Sequence, residues 1–284
     1  MNNMKAFLLM GVLTVLLVLI GNAVGGRSGA MLFFVIALGM NFITYFFSDS
    51  IAIKMTRSRP VTENEAPELY AIVRNLSERA GIPMPRIFIT PSAQPNAFAT
   101  GRGPTHAAVA VTEGIMGLLS RTELEGVLAH ELGHVKNRDV LIGTIAASLA
   151  GAITMIANML QWGLIFGGIG GSDDEGGSGI LGLAGTLLMI VLAPIAAMLI
   201  QMAISRSREF EADADGARIA GSSAGLAGAL LKLERGANQI PMQVNPAASH
   251  LFIVNPLSGQ SMARLFSTHP PIEERVRRLE EMTV

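Results

Sequence analysis

The sequence predicts a mainly α-helical integral-membrane protein with four transmembrane helices and a soluble α+β domain that contains a small β-sheet. Half of the 284 residues are hydrophobic and only 15% are charged, and the mean hydropathy is +0.45, which is unlike a soluble enzyme. Four long apolar runs account for this excess. The polar stretches between and after them carry the patterns of short strands and capped helices.

The first two apolar runs, residues 6–24 and 30–47, predict a membrane hairpin, because each is long enough to cross a bilayer and few residues separate them. A signal peptide is the alternative for the first run, since Lys5 precedes it and Gly21-Asn22-Ala23 resembles a cleavage site. The run is longer than a usual signal core, and a second run follows at once. These two facts favour the hairpin.

The third and fourth runs, residues 141–166 and 180–204, are rich in Gly and Ala, as closely packed membrane helices are. A buried helical pair within a soluble domain is the alternative. The Gly-rich, acidic residues 167–179 between the runs predict a short external loop. Apart from Arg27, the Lys and Arg residues that flank the spans fall on one side of this arrangement, which the positive-inside rule assigns to the cytoplasm.

Residues 48–140 and 205–284 form the predicted soluble part of the chain. Neither piece has an obvious complete core, so we expect the two to fold together beneath the membrane. The sequence has no cysteine, which excludes disulfides and thiolate metal sites and fits a cytoplasmic domain. Its net charge of −1 gives no sign of nucleic-acid binding, and we expect neither nucleic acid nor nucleotide as a partner.

Local signals predict the elements of the soluble part. Strands are predicted at residues 86–90, 96–100 and 107–112, the last two as a hairpin. Helices are predicted from a Thr62/Glu65 capping box to Ala80, from about Arg121, at 222–234 and at 273–282. Residues 239–260, rich in Pro, Asn and Ser, predict a long irregular segment and are the candidate for a mobile cover over the site.

The motif His130-Glu131-Leu132-Gly133-His134 predicts the chemistry. Ser120 and Glu123 form a capping box that places this motif on a helix. Histidines four residues apart lie on one helix face, where both imidazoles reach one Zn²⁺, and Glu131 beside the ion can serve as a base toward water. A surface helix with two unrelated histidines is the alternative, but with only 5 His in the chain this pattern is improbable by chance. The motif is typical of a metallopeptidase.

Catalytic zinc usually has a third protein ligand. A metzincin would have a histidine at position 140, and Val140 excludes that class. The acidic stretch after the fourth apolar run offers carboxylates, and a helical pair would return it to the first motif. Spacing leaves Glu209 and Glu211 equally possible, because each has an aspartate four residues later. The remaining histidines are His106, His250 and His269.

Several motifs together resemble the HtpX family of bacterial integral-membrane zinc endopeptidases, which are related to the type I CAAX prenyl proteases. The motifs are HELGH followed by Asn137-x-Asp139, Arg208-Glu209-Phe210-Glu211-Ala212-Asp213, Asn96-Ala97-Phe98-Ala99-Thr100-Gly101 and Ser267-Thr268-His269-Pro270-Pro271. The resemblance covers essentially the whole chain. It implies a gluzincin-type domain with one zinc ion per chain held by His130, His134 and Glu209, and with Glu131 as the catalytic base.

The resemblance implies further residues around the zinc. Asp213 and Asp139 are expected to orient ligands, and His269 and Arg275 to approach the site, where one or both would stabilise the oxyanion. The alternatives are an exposed histidine and a helix-surface salt bridge. Zinc peptidases also bind extended peptides along an edge strand, for which Asn96-Ala97-Phe98-Ala99 is the candidate and an ordinary structural hairpin the alternative.

The resemblance also implies a role in proteolytic quality control of damaged or misfolded membrane proteins under stress. The expected location is the bacterial inner membrane, with the active site facing the cytoplasm, and the expected partners are the bilayer and unfolded membrane proteins. A prenyl-protein processing protease and a non-proteolytic zinc-dependent membrane chaperone are the alternatives, the second disfavoured by the intact Glu131. A transporter is disfavoured because the apolar runs contain no acid or base.

Overall fold

The computed structural model describes residues 2–146, 206–239, 253 and 270–283. The described part is mostly helical with a small mixed sheet, as the sequence predicts. Most of the third predicted span, the whole fourth span and the loop between them lie outside the described residues. So do His269 and nearly all of the 239–260 segment.

The N-terminal helix α1, Asn2–Met55, consists of two arms joined where the backbone leaves helical geometry, with Gly26 at φ 56°. Two segments of it are long and apolar enough to cross a membrane, Met4–Asn22 and Gly25–Met55. The second arm does not end near Phe47, where the predicted span ends. It continues as helix to Met55 and carries the chain into the soluble part.

The two arms of α1 pack against each other through small and aliphatic side chains such as Leu17 and Ala37, both fully buried. Asn41 of the second arm donates a hydrogen bond to the Thr14 hydroxyl of the first, at 2.9 Å. Among the described residues, every large apolar side chain that is exposed lies on α1 except Met84, Leu118 and Leu231. A hairpin with a polar pair inside and an apolar surface outside is suited to lipid.

The sheet has four strands, β1 (Arg59–Pro60), β2 (Arg86–Thr90), β3 (Ala97–Gly101) and β4 (Ala107–Thr112). Their order is β1-β2-β4-β3, with β2 parallel to β4 and the other neighbours antiparallel. The predicted hairpin is therefore confirmed, with β3 at the edge. Gly101 ends β3 at φ 124°, and a Cβ there would lie 2.1 Å from the His106 carbonyl oxygen, so the turn requires glycine.

Both faces of the sheet are covered. Phe88 and Phe98, with two alanines of β4, pack on Ala52 near the end of α1. The opposite face, which includes Ala99 and Val109, joins the main hydrophobic core. The sheet thus separates the membrane hairpin from the helices that carry the site.

The remaining helices are α2 (Pro67–Ala80), α3 (Glu113–Leu118), α4 (Arg121–Asn137), α5 (139–146 in the described part), α6 (206–220 in the described part), α7 (Ala224–Gln239) and α8 (Ile272–Glu280). The short α3 was not predicted. Thr62 and Glu65 do form the predicted capping contacts, but these contacts close a turn and do not begin a helix. Helix α2 begins only at Pro67, because the fixed φ of proline suits the first helical position. Gly81 ends α2 in the left-handed conformation at φ 68°, as predicted.

Helix α4 lies at the centre of the core, where its leucines at 128 and 132 are completely buried with Leu226 and Leu230 of α7 and Leu279 of α8. This surrounding makes α4 rigid, and a rigid helix holds ligand side chains in fixed positions.

Candidate active site

The helix that carries the HExxH motif begins where the sequence predicts. The Ser120 side chain accepts from the Glu123 backbone, and the Glu123 carboxylate accepts from the Ser120 N–H at 2.8 Å, so both halves of the capping box are present. The rings of His130 and His134 lie on one face of α4 with centroids 4.7 Å apart. The local rules of helix formation are therefore enough to place the two imidazoles side by side.

Helix α6 reaches this face because small residues line the contact. A Cβ on Gly216 would lie 2.8 Å from the His130 Cα, and one on Gly133 would lie 3.3 Å from the Ala212 carbonyl oxygen. The two helices run antiparallel here, so residues earlier in α6 meet residues later in α4. This packing brings acidic side chains of α6 over the two histidines.

Glu209 is the carboxylate that α6 presents to the histidines. Its oxygens lie 3.4 Å from His134 Nε2 and 3.8 Å from His130 Nε2, and one ligand atom from each of the three residues falls within 4.8 Å of the others. Tetrahedral zinc with bonds near 2.0–2.1 Å would hold neighbouring ligand atoms about 3.3–3.4 Å apart. Two imidazoles and a carboxylate at these separations fit a catalytic zinc site. Glu211, the alternative that the spacing left open, is exposed.

Each histidine has a second carboxylate on its other ring nitrogen. Asp213 Oδ1 lies 2.9 Å from His130 Nδ1, and Asp139 Oδ2 lies 3.3 Å from His134 Nδ1. The Asp139 contact is a hydrogen bond that orients the His134 ring, whereas Asp213 lies close to His130 Nδ1 without hydrogen-bond geometry and supplies negative charge there. Nε2 of each ring lies on the side of Glu209. The structure therefore brings both predicted orienting residues to the site.

Arg275 approaches the site, as the resemblance implies. Its guanidinium is completely buried and donates to both carboxylate oxygens of Asp213, at 2.7 and 2.8 Å, with Nη1 3.4 Å from Glu209. It is therefore not a helix-surface salt bridge, and its Nη2 lies 3.5 Å from His130 Nε2, next to the proposed metal position. Its role toward an oxyanion stays a prediction. Arg275 connects α8 to the carboxylates beside the histidines.

The candidate base, Glu131, is buried and lies beside β3. Its Oε2 accepts a hydrogen bond from the Ala99 backbone N–H at 2.8 Å. In an antiparallel pair, every second residue of a strand bonds to the partner strand, and the residues between them turn their N–H and C=O groups to the other side. Asn96 is a bonded position, because its carbonyl accepts from the Thr112 N–H. The backbone polar groups of Ala97 and Ala99 therefore point away from β4. Of the four predicted substrate-binding residues, these two face outward at the edge.

The other two residues of the predicted edge segment have different contacts. The Phe98 side chain packs on the α1 side of the sheet. The Asn96 side chain accepts from the Ile253 N–H at 3.1 Å, and the Ile253 carbonyl accepts from Arg275 at 3.4 Å. Ile253, which belongs to the predicted irregular segment, is thus buried beside the site.

Sequence reasoning missed several contacts, three of which shape the site. They are the Ala99–Glu131 hydrogen bond, the approach of Gly216 to His130, and a 2.7 Å hydrogen bond from the Asn137 side chain to Asp215 that joins α4 to α6. Gly133, the glycine inside HELGH, was a sequence signal for the close approach of α6 to α4, because a glycine on a helix face lets a neighbouring helix come close.

The carboxylates dominate the electrostatics of the site. Burial raises the pKa of Glu131, opposed only in part by the two histidines. Burial lowers the pKa of His134, but its contacts with Asp139 and Glu209 outweigh this and raise it to about 10. Burial would raise the pKa of Asp213, but Arg275 holds it well below its usual range. A site with this excess of negative charge favours a bound cation.

Two imidazoles and a carboxylate around one point, with a glutamate next to the first imidazole, define a metalloprotease site. Residues 63–283 match Peptidase family M48, and the chain belongs to that family. It is 67% identical over 284 residues to a Protease HtpX homolog of Pelotomaculum thermopropionicum, covering 100% of both chains. It is 56% identical over 278 residues to one of Desulfatibacillum aliphaticivorans, covering 98% of this chain and 89% of that protein. The predicted resemblance to HtpX proteins is confirmed.

A solved structure has a similar fold. The crystal structure of S. mikatae Ste24p matches with a TM-score of 0.51 and 22% identity over 98% of this chain, which spans 65% of the Ste24p chain. At this identity the match shows the fold alone.

Proposed function

We propose that this protein is a membrane-embedded, zinc-dependent endopeptidase of the gluzincin type. The observation that carries the proposal is the position of Glu209, whose carboxylate lies 3.4 Å from His134 and 3.8 Å from His130 although some 75 residues separate the two motifs. Glu131 extends from the same helix as the histidines. Together these residues supply three metal ligands and a base.

The proposed mechanism assigns one role to each residue. Zinc held by His130, His134 and Glu209 would polarise the scissile carbonyl and acidify water. Glu131 takes the proton of the attacking water and later gives it to the leaving amine. Burial raises its pKa, which strengthens it as a proton acceptor.

Substrate is expected to bind as an extended strand along β3. The backbone groups of Ala97 and Ala99 turn away from β4 and would bond to an added strand once the Ala99 N–H leaves Glu131 and the buried edge opens. Only an unfolded segment can make those bonds, which supports misfolded or damaged membrane proteins as substrates and a role in quality control. A peptide that bonds to Ala99 would also take the N–H that now contacts Glu131 and so release the base toward water.

The exposed apolar surface of α1 supports insertion of that hairpin into the bilayer. We propose the four-span arrangement with 141–166 and 180–204 as the third and fourth spans. By the distribution of Lys and Arg, the active site faces the cytoplasm of a bacterial inner membrane.

The test is proteolysis by full-length protein purified in detergent, assayed on casein and on a destabilised membrane protein. We expect cleavage that stops on chelation and returns with zinc. Glu131→Gln should keep about one zinc per chain and lose activity by at least about 100-fold. Glu125→Gln, on the partly exposed face of the same helix, is the matched control and should stay active.

Three results would contradict this proposal. Full activity of Glu131→Gln would remove that residue from the mechanism. Zinc binding without cleavage, combined with suppression of aggregation, would favour a chaperone. Cleavage confined to farnesylated CAAX peptides would favour a prenyl-protein processor.

A further inference from the structure

A cleft of about 280 Å³ lies on the α1 side of the sheet, and none of the proposed metal ligands lines it. Phe46 and Asp49 of α1 form one wall. The other walls come from the start of β2, at Arg86, and from the turn between β3 and β4, at Arg102 and His106. The peptidase mechanism uses none of these residues.

Basic groups predominate in this cleft. Arg86 pairs with Asp49, the one acidic residue that lines it. Arg102 makes no ion pair within the described part of the chain, and its guanidinium lies over the Phe46 ring, 5.1 Å from the centroid. The His106 ring shares a 2.9 Å hydrogen bond with Thr105 and is exposed. Two guanidiniums facing one carboxylate leave an excess of positive charge, which favours an anion, and the imidazole can add a hydrogen bond to it.

The cleft is continuous with the apolar surface of α1. Phe42 lies one helical turn before Phe46, the two rings are 4.7 Å apart, and both side chains are about half exposed. Ile43 and Phe47, their neighbours on the same arm, are exposed as well. Tyrosine at the end of a spanning helix commonly marks the lipid headgroup level, and the Tyr45 ring lies 4.9 Å from that of Phe46. The basic cleft therefore opens where apolar surface gives way to polar surface.

We propose that this cleft binds the phosphate headgroup of an anionic phospholipid, with the acyl chains against Phe42 and Phe46. Guanidinium groups are suited to phosphate oxygens because they present several N–H donors in one plane. A free phosphate ion shares that chemistry, but it would not use the adjoining apolar surface. The proposal rests on the insertion of α1 into a bilayer, which is part of the proposed function, and it is independent of the peptidase chemistry.

The test uses full-length protein, delipidated in detergent and titrated with phosphatidylglycerol or phosphatidylcholine, with bound lipids counted by native mass spectrometry. We expect selective retention of phosphatidylglycerol. Arg102→Gln should weaken it by about fivefold, since one basic group near an anionic headgroup contributes roughly that factor. Arg102 is chosen because its replacement breaks no described ion pair. Arg74→Gln, on the exposed surface of α2, is the matched control and should bind as the wild type does.

Adding His106→Gln to Arg102→Gln should weaken retention further. Equal retention of both lipids, or equal loss in Arg74→Gln, would overturn the proposal. Displacement of the lipid by millimolar inorganic phosphate would assign the cleft to free phosphate and overturn the lipid assignment.

Casein cleavage measured on the same samples separates this proposal from the proposed function. An active protein that does not prefer the anionic lipid would refute the lipid site alone. An inactive protein that retains the lipid would refute the peptidase alone.

Discussion

Arg275 and Asp213 form a two-point ion pair, with both side chains buried, beside the imidazole of His130. Arg275 comes from the last described helix and Asp213 from α6, so the C-terminal end of the chain supports the metal ligands. Its guanidinium also lies 3.4 Å from Glu209. The carboxylate of Asp213 is thus paired with a guanidinium that is completely buried.

Replacing Arg275 with Met should leave Asp213 buried without its cation, at a cost of about 3–5 kcal/mol in the free energy of unfolding. Thermal unfolding in detergent and zinc content should both fall. Arg277→Met, on the exposed face of the same helix, should change neither. A variant that kept its stability and zinc but lost turnover would show instead that Arg275 acts on the substrate.

The contact between His134 and Asp139 predicts proton release on metal binding. Because the pKa of His134 is raised to about 10, the metal-free protein keeps this ring protonated at pH 8, and a metal must displace that proton. Because the pKa of His134 is higher in the folded protein than in the unfolded chain, the protonated ring stabilises the metal-free fold. This stabilisation is complete below about pH 6.5 and is lost as the pH rises through about 10.

Asp139→Asn should lower the pKa of His134 and reduce this proton release, while Glu209 and Glu131 continue to raise the pKa. Calorimetric zinc titration in buffers of different ionisation enthalpy measures it as a difference of up to about one proton between wild type and variant. Equal proton release from both proteins would show that Asp139 does not control the ring.

Gly216 sets the distance between α4 and α6. In Gly216→Ala the new Cβ would meet the His130 backbone at 2.8–2.9 Å, so the helices must separate and Glu209 must move from the histidines. We expect a loss of about 1–3 kcal/mol and a marked fall in zinc affinity, measured by unfolding and by competition with a chelating dye.

Gly117→Ala is the control for this substitution, because nothing lies within 4 Å of a Cβ at that helical position. It should be neutral or slightly stabilising. If Gly216→Ala binds zinc as tightly as this control does, the close approach is not what positions Glu209.

Glu123 links the start of α4 to α7, since its carboxylate caps Ser120 and accepts from Lys232 at 2.7 Å. Burial would raise its pKa, but Lys232 and Ser120 lower it overall. A carboxylate whose pKa is lower in the folded than in the unfolded state stabilises the fold at pH values above its unfolded-state pKa. That stabilisation is lost as the pH falls through the folded-state pKa.

Glu123→Gln should therefore destabilise the protein by about 1 kcal/mol at neutral pH, and by less below about pH 4. The pH dependence of the unfolding midpoint, compared with that of Glu125→Gln, measures this difference. A destabilisation that did not change with pH would mean that packing, and not charge, carries the contribution of Glu123.

The sequence predicted best what is decided locally. The start of α4 is confirmed because Ser120 and Glu123 meet within one turn, and the hairpin of β3 and β4 because its turn needs glycine at position 101. The start of α2 was predicted too early, because a capping pair also closes a turn and Pro67 determines where the helix begins.

Spacing could not decide what depends on packing between distant segments. Glu209 and Glu211 have the same local pattern, and which of them faces α4 depends on how α6 lies across Gly133. The resemblance to a family supplied that choice, and the structure brings the chosen residue to the histidines. The partner of Arg275 was equally inaccessible, because 62 positions separate it from Asp213.

Phe98 rests on the end of the membrane hairpin, while Ala99, the next residue, donates its N–H to Glu131. One strand thus contacts both the end of α1 and the proposed base, and it links the apolar hairpin to the site. If α1 inserts as proposed, β3 and the proposed base are held next to the end of the spanning hairpin. In the proposed function, a membrane protein would then become a substrate only after part of its chain has unfolded far enough to reach β3.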